Sequence, residues 1–260
     1  MSKSFRENLA ISNSSLELFD FLTNKSVKSW QGHEKDITKV LYCPKIEKYL
    51  SSSRDKTVKL WSISQEKPEL DLKGHDLVVT SIAADSENRY LISGSRDNNL
   101  NLWDLQTGKL VTSAYISRNL ISDIFWSNDN RLLIQTGEDK EVRIWDPYNL
   151  KVIYSFPKKQ YIQSSCHISR DNNYAITSSN GFQGNGCEIT IWDLRKRCIV
   201  KELFGHEQTV TCAKIINNDS QIVSCSNDST VRLWDFKNHR LIDTVFVSNA
   251  LSSVAESQDQ

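Results

Sequence analysis

The sequence predicts an all-β fold, a β-propeller built from a repeated four-stranded unit. Three observations lead to this prediction: a tryptophan recurs at a nearly fixed interval, a Gly-His pair precedes several of the tryptophans, and an aspartate lies between them. The interval is 42, 42, 47 and 42 residues along the series Trp61, Trp103, Trp145, Trp192 and Trp234. A period near forty residues that opens on Gly-His and closes on Trp-Asp is typical of a propeller array.

The spacing inside one unit is held in three copies. His75 precedes Asp97 by 22 residues, and Asp97 precedes Trp103 by 6. The sets that share this spacing are His33, Ser51, Asp55 and Trp61; His75, Ser93, Asp97 and Trp103; and His206, Ser224, Asp228 and Trp234. Histidine, serine and aspartate are also the parts of a hydrolase triad, but an enzyme needs one triad rather than three in parallel units. The repetition therefore favours a structural role for all three sets.

The period divides the chain into successive units, which we call blades. Hydrophobic and polar residues alternate within them, as around Val58 and Leu60, which is the period of a strand rather than of a helix. Turn sequences such as Gln106-Thr107-Gly108 separate the predicted strands. The predicted boundaries are residues 33–72 for blade 2, 75–115 for blade 3, 117–156 for blade 4, 158–203 for blade 5 and 206–247 for blade 6.

Blade 1 is predicted to draw on both ends of the chain. Phe19 lies 42 residues before Trp61 and takes the tryptophan position, so residues 5–30 supply three strands. Residues 250–255 supply the missing first strand, because Leu251 and Val254 match its inner positions. Pairing of the two ends would close six blades into one domain, residues 1–260, and remove the open sheet edges. A truncated ring of seven blades is the alternative.

Composition limits the classes of function. Lys+Arg and Asp+Glu both total 32, and the resulting zero net charge disfavours a nucleic-acid partner, because phosphate binding needs concentrated positive charge. The six cysteines include no Cys-x-x-Cys pair and are expected to be reduced. No apolar run approaches membrane-spanning length. These features predict a cytoplasmic protein without a metal, a cofactor or a small-molecule substrate.

A glycine-rich insertion, Asn180 to Gly186, accounts for the 47-residue interval. Its three glycines admit a phosphate-binding loop, but no Lys-Ser/Thr follows, and a strand rather than a helix comes next. A flexible long turn is the commonest use of such a run. The third possibility is that a mobile loop presents Phe182 as an exposed aromatic anchor for a partner protein.

The Gly-His and Trp-Asp pairs, together with Gly94-Ser95-Arg96-Asp97-Asn98, resemble the WD-repeat family over nearly the whole chain. The resemblance implies that the four side chains of each complete set hydrogen-bond to one another and tie the strands of one blade together. Blades 4 and 5 have Ser117 and Lys158 at the histidine position and cannot complete such a network. We therefore expect Trp145 and Trp192 to keep only packing contacts, and these two blades to be softer.

The resemblance also implies a binding face. In WD-repeat proteins, partners often contact the residue before the turn aspartate and the start of the first strand, on the narrow face of the propeller. The matching positions, with the aromatic residue of the insertion, are Arg54, Arg96, Glu138, Val78, Leu120, Tyr161, Gln163, Phe182 and Asn227. We expect the apolar members of this set to form a patch with a charged rim, which is the anatomy of an interface.

These features predict a non-catalytic scaffold for protein–protein interaction. The alternative, from another class, is an enzyme or a nucleotide- or phosphate-binding propeller that uses the central channel or the Gly181–Gly186 loop. The closer resemblance, to a ciliary member of the family, implies a role in cilia, in trafficking or signalling complexes that involve small-GTPase regulators. The residue spacing itself does not carry this last implication.

Overall fold

The computed structural model describes residues 7–12, 14–20, 23 and 25–254. All regular secondary structure in this part of the chain is β-strand, as the alternating hydrophobic pattern predicts. Accordingly, no described segment forms a helix of the length and hydrophobicity that a membrane crossing requires. The prediction of an all-β fold is confirmed.

The described residues form six antiparallel sheets, one for each predicted blade, and the chain divides into two compact units. The first unit ends at Ile116 and contains blades 1 to 3. Its strands are β1 (Glu7–Ser12), β2 (Ser15–Asp20) and β3 (Lys25–Gln31) in blade 1; β4 (Ile37–Cys43), β5 (Lys48–Ser53), β6 (Thr57–Ser62) and β7 (Leu70–Lys73) in blade 2; and β8 (Val79–Ala84), β9 (Tyr90–Ser95), β10 (Asn99–Asp104) and β11 (Leu110–Tyr115) in blade 3.

The second unit begins at Ser117 and contains blades 4 to 6. Its strands are β12 (Ile121–Trp126), β13 (Leu133–Gly137), β14 (Val142–Asp146) and β15 (Lys151–Ser155) in blade 4; β16 (Ile162–Ile168), β17 (Tyr174–Asn180), β18 (Ile189–Asp193) and β19 (Cys198–Leu203) in blade 5; and β20 (Val210–Ile216), β21 (Gln221–Ser226), β22 (Thr230–Asp235) and β23 (Arg240–Phe246) in blade 6. Within every blade, sequence neighbours pair with each other, so each blade is a meander.

A bulge recurs at the tryptophan position of the third strand of a blade. The register with the fourth strand shifts between Leu102 and Trp103 in blade 3, and at the equivalent place in blades 4, 5 and 6. Blade 1 has the same shift between Leu18 and Phe19. The shared irregularity confirms that Phe19 occupies the tryptophan position of blade 1.

The core of each unit lies between successive sheets, where apolar faces pack together. In the first unit, Leu60 of blade 2 and Ile82 of blade 3 belong to one buried cluster. In the second unit, Phe156 of blade 4 packs on Trp192 of blade 5 with ring centroids 4.4 Å apart. The aromatic and aliphatic side chains of the repeat therefore join each blade to the next one within its unit.

The pairing of the two chain ends in blade 1 stays a prediction. Among the described residues, blade 1 has three strands, and Leu251 to Val254 carry no regular strand. This segment is held instead by isolated hydrogen bonds to blade 6, in which Leu251 N–H donates to Ser226 O at 3.3 Å and Thr211 Oγ1 donates to Leu251 O at 2.6 Å. Ala255, the last residue of the predicted strand, lies outside the described residues.

Candidate functional site

Each complete set of His, Ser, Asp and Trp, which we call a tetrad, forms one hydrogen-bonded chain inside its blade. In blade 3, His75 Nδ1 lies 2.9 Å from Asp97 Oδ2, and His75 Nε2 lies 2.7 Å from Ser93 Oγ. Trp103 Nε1 donates to the same Ser93 Oγ at 2.8 Å. The carboxylate can only accept, so Nδ1 carries the imidazole proton and Nε2 accepts the serine O–H.

The sets in blades 2 and 6 repeat this geometry. The His–Asp, His–Ser and Trp–Ser distances are 2.7, 2.7 and 2.8 Å in blade 2, and 2.8, 2.8 and 2.9 Å in blade 6. The serine side chains in all three sets are fully buried, and each hydroxyl is already bonded to both histidine and tryptophan. None of the three sets therefore offers an accessible nucleophile.

The turn aspartate of each set is also bound by backbone N–H groups, which affects its ionisation. Asp97 accepts hydrogen bonds from Asp76 N–H and Asn99 N–H at 2.9 Å. Burial opposes its ionisation, but the hydrogen bond and charge of His75, together with these N–H groups, outweigh burial and lower the pKa of Asp97 to about 2. The pKa of Asp228 is lowered to about 2 as well, against burial, by Thr230, His206 and Glu207 N–H.

The tryptophan of blade 4 lacks a hydrogen-bond partner, as expected. Trp145 Nε1 is buried and makes no hydrogen bond to any described residue. A different polar cluster replaces the tetrad: with the Asn119 amide oxygen facing the donors, that oxygen accepts from Gln135 Nε2 at 2.7 Å and from Arg143 at 3.0 Å. Arg143 in turn pairs with Asp139 at 2.5 Å. The sequence did not point to Asn119, because it lies two positions beyond the expected histidine site at Ser117.

The expectation for blade 5 was wrong, because Trp192 does have a hydrogen-bond partner. Trp192 Nε1 donates to Thr177 Oγ1 at 3.0 Å, and Thr177 Oγ1 donates to Gln163 Oε1 at 2.6 Å. Gln163 Nε2 continues the chain to Ser179 Oγ at 3.0 Å. Ser179 Oγ then donates to Glu188 at 3.1 Å. A threonine thus takes the serine role, and a longer network replaces the histidine.

The buried cation Lys159 forms ion pairs with the carboxylates at the end of the blade 5 network. Lys159 Nζ lies 3.3 Å from Glu188 Oε1 and also pairs with Glu202, and the Lys159 side chain is only 9% exposed. The sequence placed Lys158 at the histidine position, but Lys158 is exposed and pairs with Glu141 at 3.3 Å. The residue beside the expected one therefore supplies the buried cation.

Gln163 is not a surface contact. It was predicted to lie on the narrow face, but its side chain belongs to the network of blade 5 and the residue is fully buried. The prediction failed because a position at the start of a first strand can turn inward where the adjacent tetrad is missing.

The other predicted binding positions fall into the two units. In the first unit, Arg54 and Arg96 are exposed and Val78 is half-buried. In the second unit, Glu138, Phe182 and Asn227 are exposed, whereas Leu120 and Tyr161 are half-buried. One backbone bond recurs beside them: Arg96 N–H donates to Val78 O, and Glu138 N–H donates to Leu120 O, both at 3.0 Å. This bond holds the residue before the turn aspartate next to the start of the first strand.

The insertion of blade 5 is a small, tightly bonded loop rather than a mobile one. Phe182 and Asn185 exchange backbone hydrogen bonds at 2.9 and 3.1 Å, and Gly184 N–H donates to Glu207 O at 2.8 Å. Thr209 Oγ1 donates to Asn180 Oδ1 at 2.7 Å. The loop is therefore fastened to the segment that leads into blade 6. The N–H groups of Phe182, Gly184 and Asn185 already bond to protein carbonyls, so the geometry does not favour a phosphate cradle.

The loop packs on Tyr161 and carries Phe182 outward. Gly186 has φ of +70°, and a β-carbon there would lie 2.3 Å from the Tyr161 ring, so only glycine allows this close approach. The Phe182 ring is 66% exposed despite the ordered backbone beneath it. Phe182, Gly184, Glu207 and Gln208 are among the residues that line one cleft at this surface.

No metal centre is present in the part of the chain that the structure describes, since no group of three or more His, Cys, Asp and Glu side chains could hold an ion.

The comparison with protein families identifies a repeat. A family model described as "WD domain, G-beta repeat" matches residues 24–62, 66–104, 108–146 and 197–235, which together make up more than half of the chain. Three of the matched segments each contain one complete tetrad, and the segment 108–146 belongs to blade 4, in which the tetrad is replaced.

Individual relatives match over short segments. The chain is 31% identical to the WD repeat-containing protein 89 homolog of Dictyostelium discoideum over 27% of its length and 20% of that protein. It is 51% identical to the nuclear distribution protein PAC1 of Saccharomyces cerevisiae over 15% of its length and 8% of that protein. It is 33% identical to the U3 small nucleolar RNA-associated protein 21 homolog of Schizosaccharomyces pombe over 25% of its length and 7% of that protein. The matches thus span a fifth or less of each relative.

Proposed function

Because this chain belongs to the WD-repeat family, we propose that it is a non-catalytic scaffold that binds other proteins through the loops at one end of its blades. The candidate contacts in the first unit are Arg54, Arg96 and Val78. Those in the second unit are Leu120, Glu138, Tyr161, Phe182 and Asn227. Neighbouring residues of opposite character, such as exposed Arg96 beside half-buried Val78, suit an interface with an apolar centre and a polar rim.

The observation that carries the proposal is the exposed Phe182 ring on an ordered loop. A large aromatic side chain costs free energy when it faces water, and aromatic residues contribute disproportionately to protein interfaces. The loop backbone is fastened to Glu207 and Thr209, so little conformational entropy is lost when a partner covers the ring. An exposed aromatic with a rigid support is suited to binding.

The test is cross-linking capture of partners by the purified chain and by matched variants. We expect Phe182→Ala and Arg96→Glu each to reduce the yield of the main captured partners by at least about tenfold, as loss of an interface anchor does. Phe246→Ala is the control, because Phe246 is 79% exposed but lies in β23 at the outer edge of blade 6. The proposed surface is wrong if Phe182→Ala and Arg96→Glu fold and keep every partner, or if Phe246→Ala loses the same partners.

We propose further that these partners belong to ciliary trafficking or signalling complexes that involve small-GTPase regulators. This proposal rests on the resemblance to one ciliary member of the family, WD repeat-containing protein thirty-one. The resemblance is carried by stretches such as Gln135 to Lys140 and Ser179 to Phe182, which are not generic repeat residues. The same capture experiment in ciliated cells tests it, and a set of partners without ciliary proteins would contradict it.

A further inference from the structure

Two cysteines face each other across the inner strands of blade 6. Cys212 in β20 pairs directly with Cys225 in β21. Directly opposed residues of an antiparallel pair have Cα atoms about 4.5–5.5 Å apart, which falls within the range of about 4.4–6.8 Å that a disulfide accepts. All six cysteines of the chain are free thiols in this structure.

The same register position in blade 5 shows that such side chains approach closely. Ser165 pairs with Ser178 there, and the two hydroxyl oxygens lie 2.6 Å apart. Cysteine differs from serine only in the larger sulfur atom. The repeat therefore places Cys212 and Cys225 on the same face of their sheet, with their side chains directed at each other.

The carboxyl-terminal segment rests on this cysteine pair. Val254 N–H donates to the Cys212 sulfur, and Thr211 Oγ1 donates to Leu251 O at 2.6 Å. Blade 5 makes the equivalent bonds to the first strand of blade 6, in which Ala213 N–H donates to Ser165 Oγ at 3.1 Å and Ser164 Oγ donates to Val210 O at 2.5 Å. Residues 251–254 thus occupy the place of a following inner strand, with the Cys212 sulfur as one of their acceptors.

The surroundings of the two thiols differ. The hydrogen bond from Cys225 lowers the pKa of Cys212 against the effect of burial, and Val254 N–H and the charge of Lys214 lower it further. The hydrogen bond with Cys212 raises the pKa of Cys225, and burial raises it further. Burial also raises the pKa of Cys43, to about 12, and Cys43 has no cysteine partner. Cys212 is therefore the better nucleophile of the pair, because the thiolate is the reactive form.

We propose that Cys212 and Cys225 are a reversible thiol–disulfide site that hydroperoxides oxidise, and that the disulfide loosens residues 251–254 from blade 6. The Cys212 thiolate attacks the O–O bond of the peroxide, which gives a sulfenic acid and releases an alcohol, or water from hydrogen peroxide. The Cys225 sulfur then displaces the sulfenic oxygen, which leaves as water with the thiol proton. Two thiols lose two electrons and two protons, and the peroxide is reduced.

Loosening follows from the geometry of the bond. A disulfide brings the two sulfur atoms to about 2.05 Å, which draws the Cys212 sulfur towards Cys225 and away from Val254. A disulfide sulfur also lacks the negative charge that the thiolate form of Cys212 offers to a donor, so the hydrogen bond from Val254 N–H weakens. Within the described residues, the segment's other bonds to blade 6 are those of Leu251. This inference does not depend on which proteins the scaffold binds.

The first experiment maps the disulfide. The full chain is prepared with Cys198→Ser, because Cys198 is the exposed thiol and would form disulfides between molecules. It is treated with hydrogen peroxide, alkylated, digested and analysed by mass spectrometry. We expect a peptide that links Cys212 to Cys225, which dithiothreitol separates, while Cys43 and Cys187 are recovered as thiols. Recovery of Cys212 and Cys225 as separate thiols, or as sulfonic acids without a link, would overturn the proposal.

The second experiment measures the effect on the carboxyl-terminal segment by hydrogen exchange. We expect peroxide to speed exchange at the amides of Leu251 and Val254 by at least about tenfold, as local opening does. Cys212→Ser and Cys225→Ser, each in the Cys198→Ser background, are the controls, because serine already fills this register position in blade 5. Peroxide should leave exchange in both variants unchanged. If exchange is unchanged in the chain that forms the disulfide, then the disulfide does not loosen residues 251–254 and this part of the proposal is refuted.

Discussion

At the scale of single residues, the stability of a complete blade depends on paired groups inside it. His75 bonds to both Asp97 and Ser93, which have almost no contact with water. We expect His75→Ala to leave these two partners unpaired and to lower the free energy of unfolding by about 1–3 kcal/mol. Urea denaturation measures this change.

Ser117→Ala is the matched control for His75→Ala. Ser117 is exposed and occupies the same repeat position in blade 4, where the tetrad is replaced. A surface substitution of this kind should change the free energy of unfolding by less than about 0.5 kcal/mol. Equal stability of the two variants would show that the tetrad of blade 3 contributes nothing beyond packing.

The repeat made the three tetrads predictable from the sequence, but it did not predict the networks that replace the tetrad in blades 4 and 5. His33, His75 and His206 recur with the same spacing to aspartate and tryptophan, so one pattern describes all three. Asn119 in blade 4 and Thr177 in blade 5 occur once each and differ in chemistry from the residues whose roles they take. A substitute that occurs in one blade leaves no period in the sequence, and its partners become evident only from three-dimensional contacts.

At the scale of elements, the insertion of blade 5 shows how a glycine-rich run becomes ordered. Gly184 and Gly186 both have a positive φ, +75° and +70°, but a β-carbon at Gly184 meets nothing within 4 Å, whereas one at Gly186 meets the Tyr161 ring. We expect Gly184→Ala to cost only the backbone strain of about 1 kcal/mol. Gly186→Ala should cost more and displace the loop.

Amide exchange separates these two glycine variants. Displacement of the loop breaks the bond from Gly184 N–H to Glu207 O, so Gly186→Ala should speed exchange at residue 184. Gly184→Ala should retain slow exchange at its own amide. Similar exchange in both variants would mean that Tyr161 does not hold the loop. Glycine content alone suggested a mobile turn, because the bonds that fasten this loop come from Glu207 and Thr209, more than twenty residues further along the chain.

At the scale of the whole molecule, the period of the sequence predicted six sheets correctly, but it did not determine the end of the chain. Leu251 and Val254 were matched to inner positions of a first strand, and both do bond to blade 6 in the manner of a following strand. The segment nevertheless lacks a ladder among the described residues. Hydrophobic matching identifies the faces that become buried, whereas a ladder also requires a partner strand in register. Closure of the six blades into one domain therefore stays a prediction.

Both units should lose stability as the pH falls. Burial lowers the pKa of His33 in the first unit and of His206 in the second below the usual 6.5, although Asp55 and Asp228 oppose the shift. Their unfolded forms therefore bind protons first, and stability decreases as the pH falls below about 6.5. The pKa values of Asp97 and Asp228, about 2 against the usual 3.8, add a second loss of stability between these two values.

Urea denaturation at pH 7.5, 5.5 and 3 measures both losses, and we expect the free energy of unfolding to fall at each step. A variant with His206→Asn should lose less stability between pH 7.5 and 5.5 than the parent chain, because it removes one of the two imidazoles whose pKa burial lowers. The loss below pH 3.8 should persist in that variant, since Asp97 is unchanged. Stability that stays constant from pH 7.5 to 5.5 in the parent chain would contradict the lowered pKa of the two histidines, because pairing with Asp55 and Asp228 would then balance the effect of burial. Stability that rises as the pH falls would mean that this pairing outweighs burial and keeps His33 and His206 protonated in the folded chain.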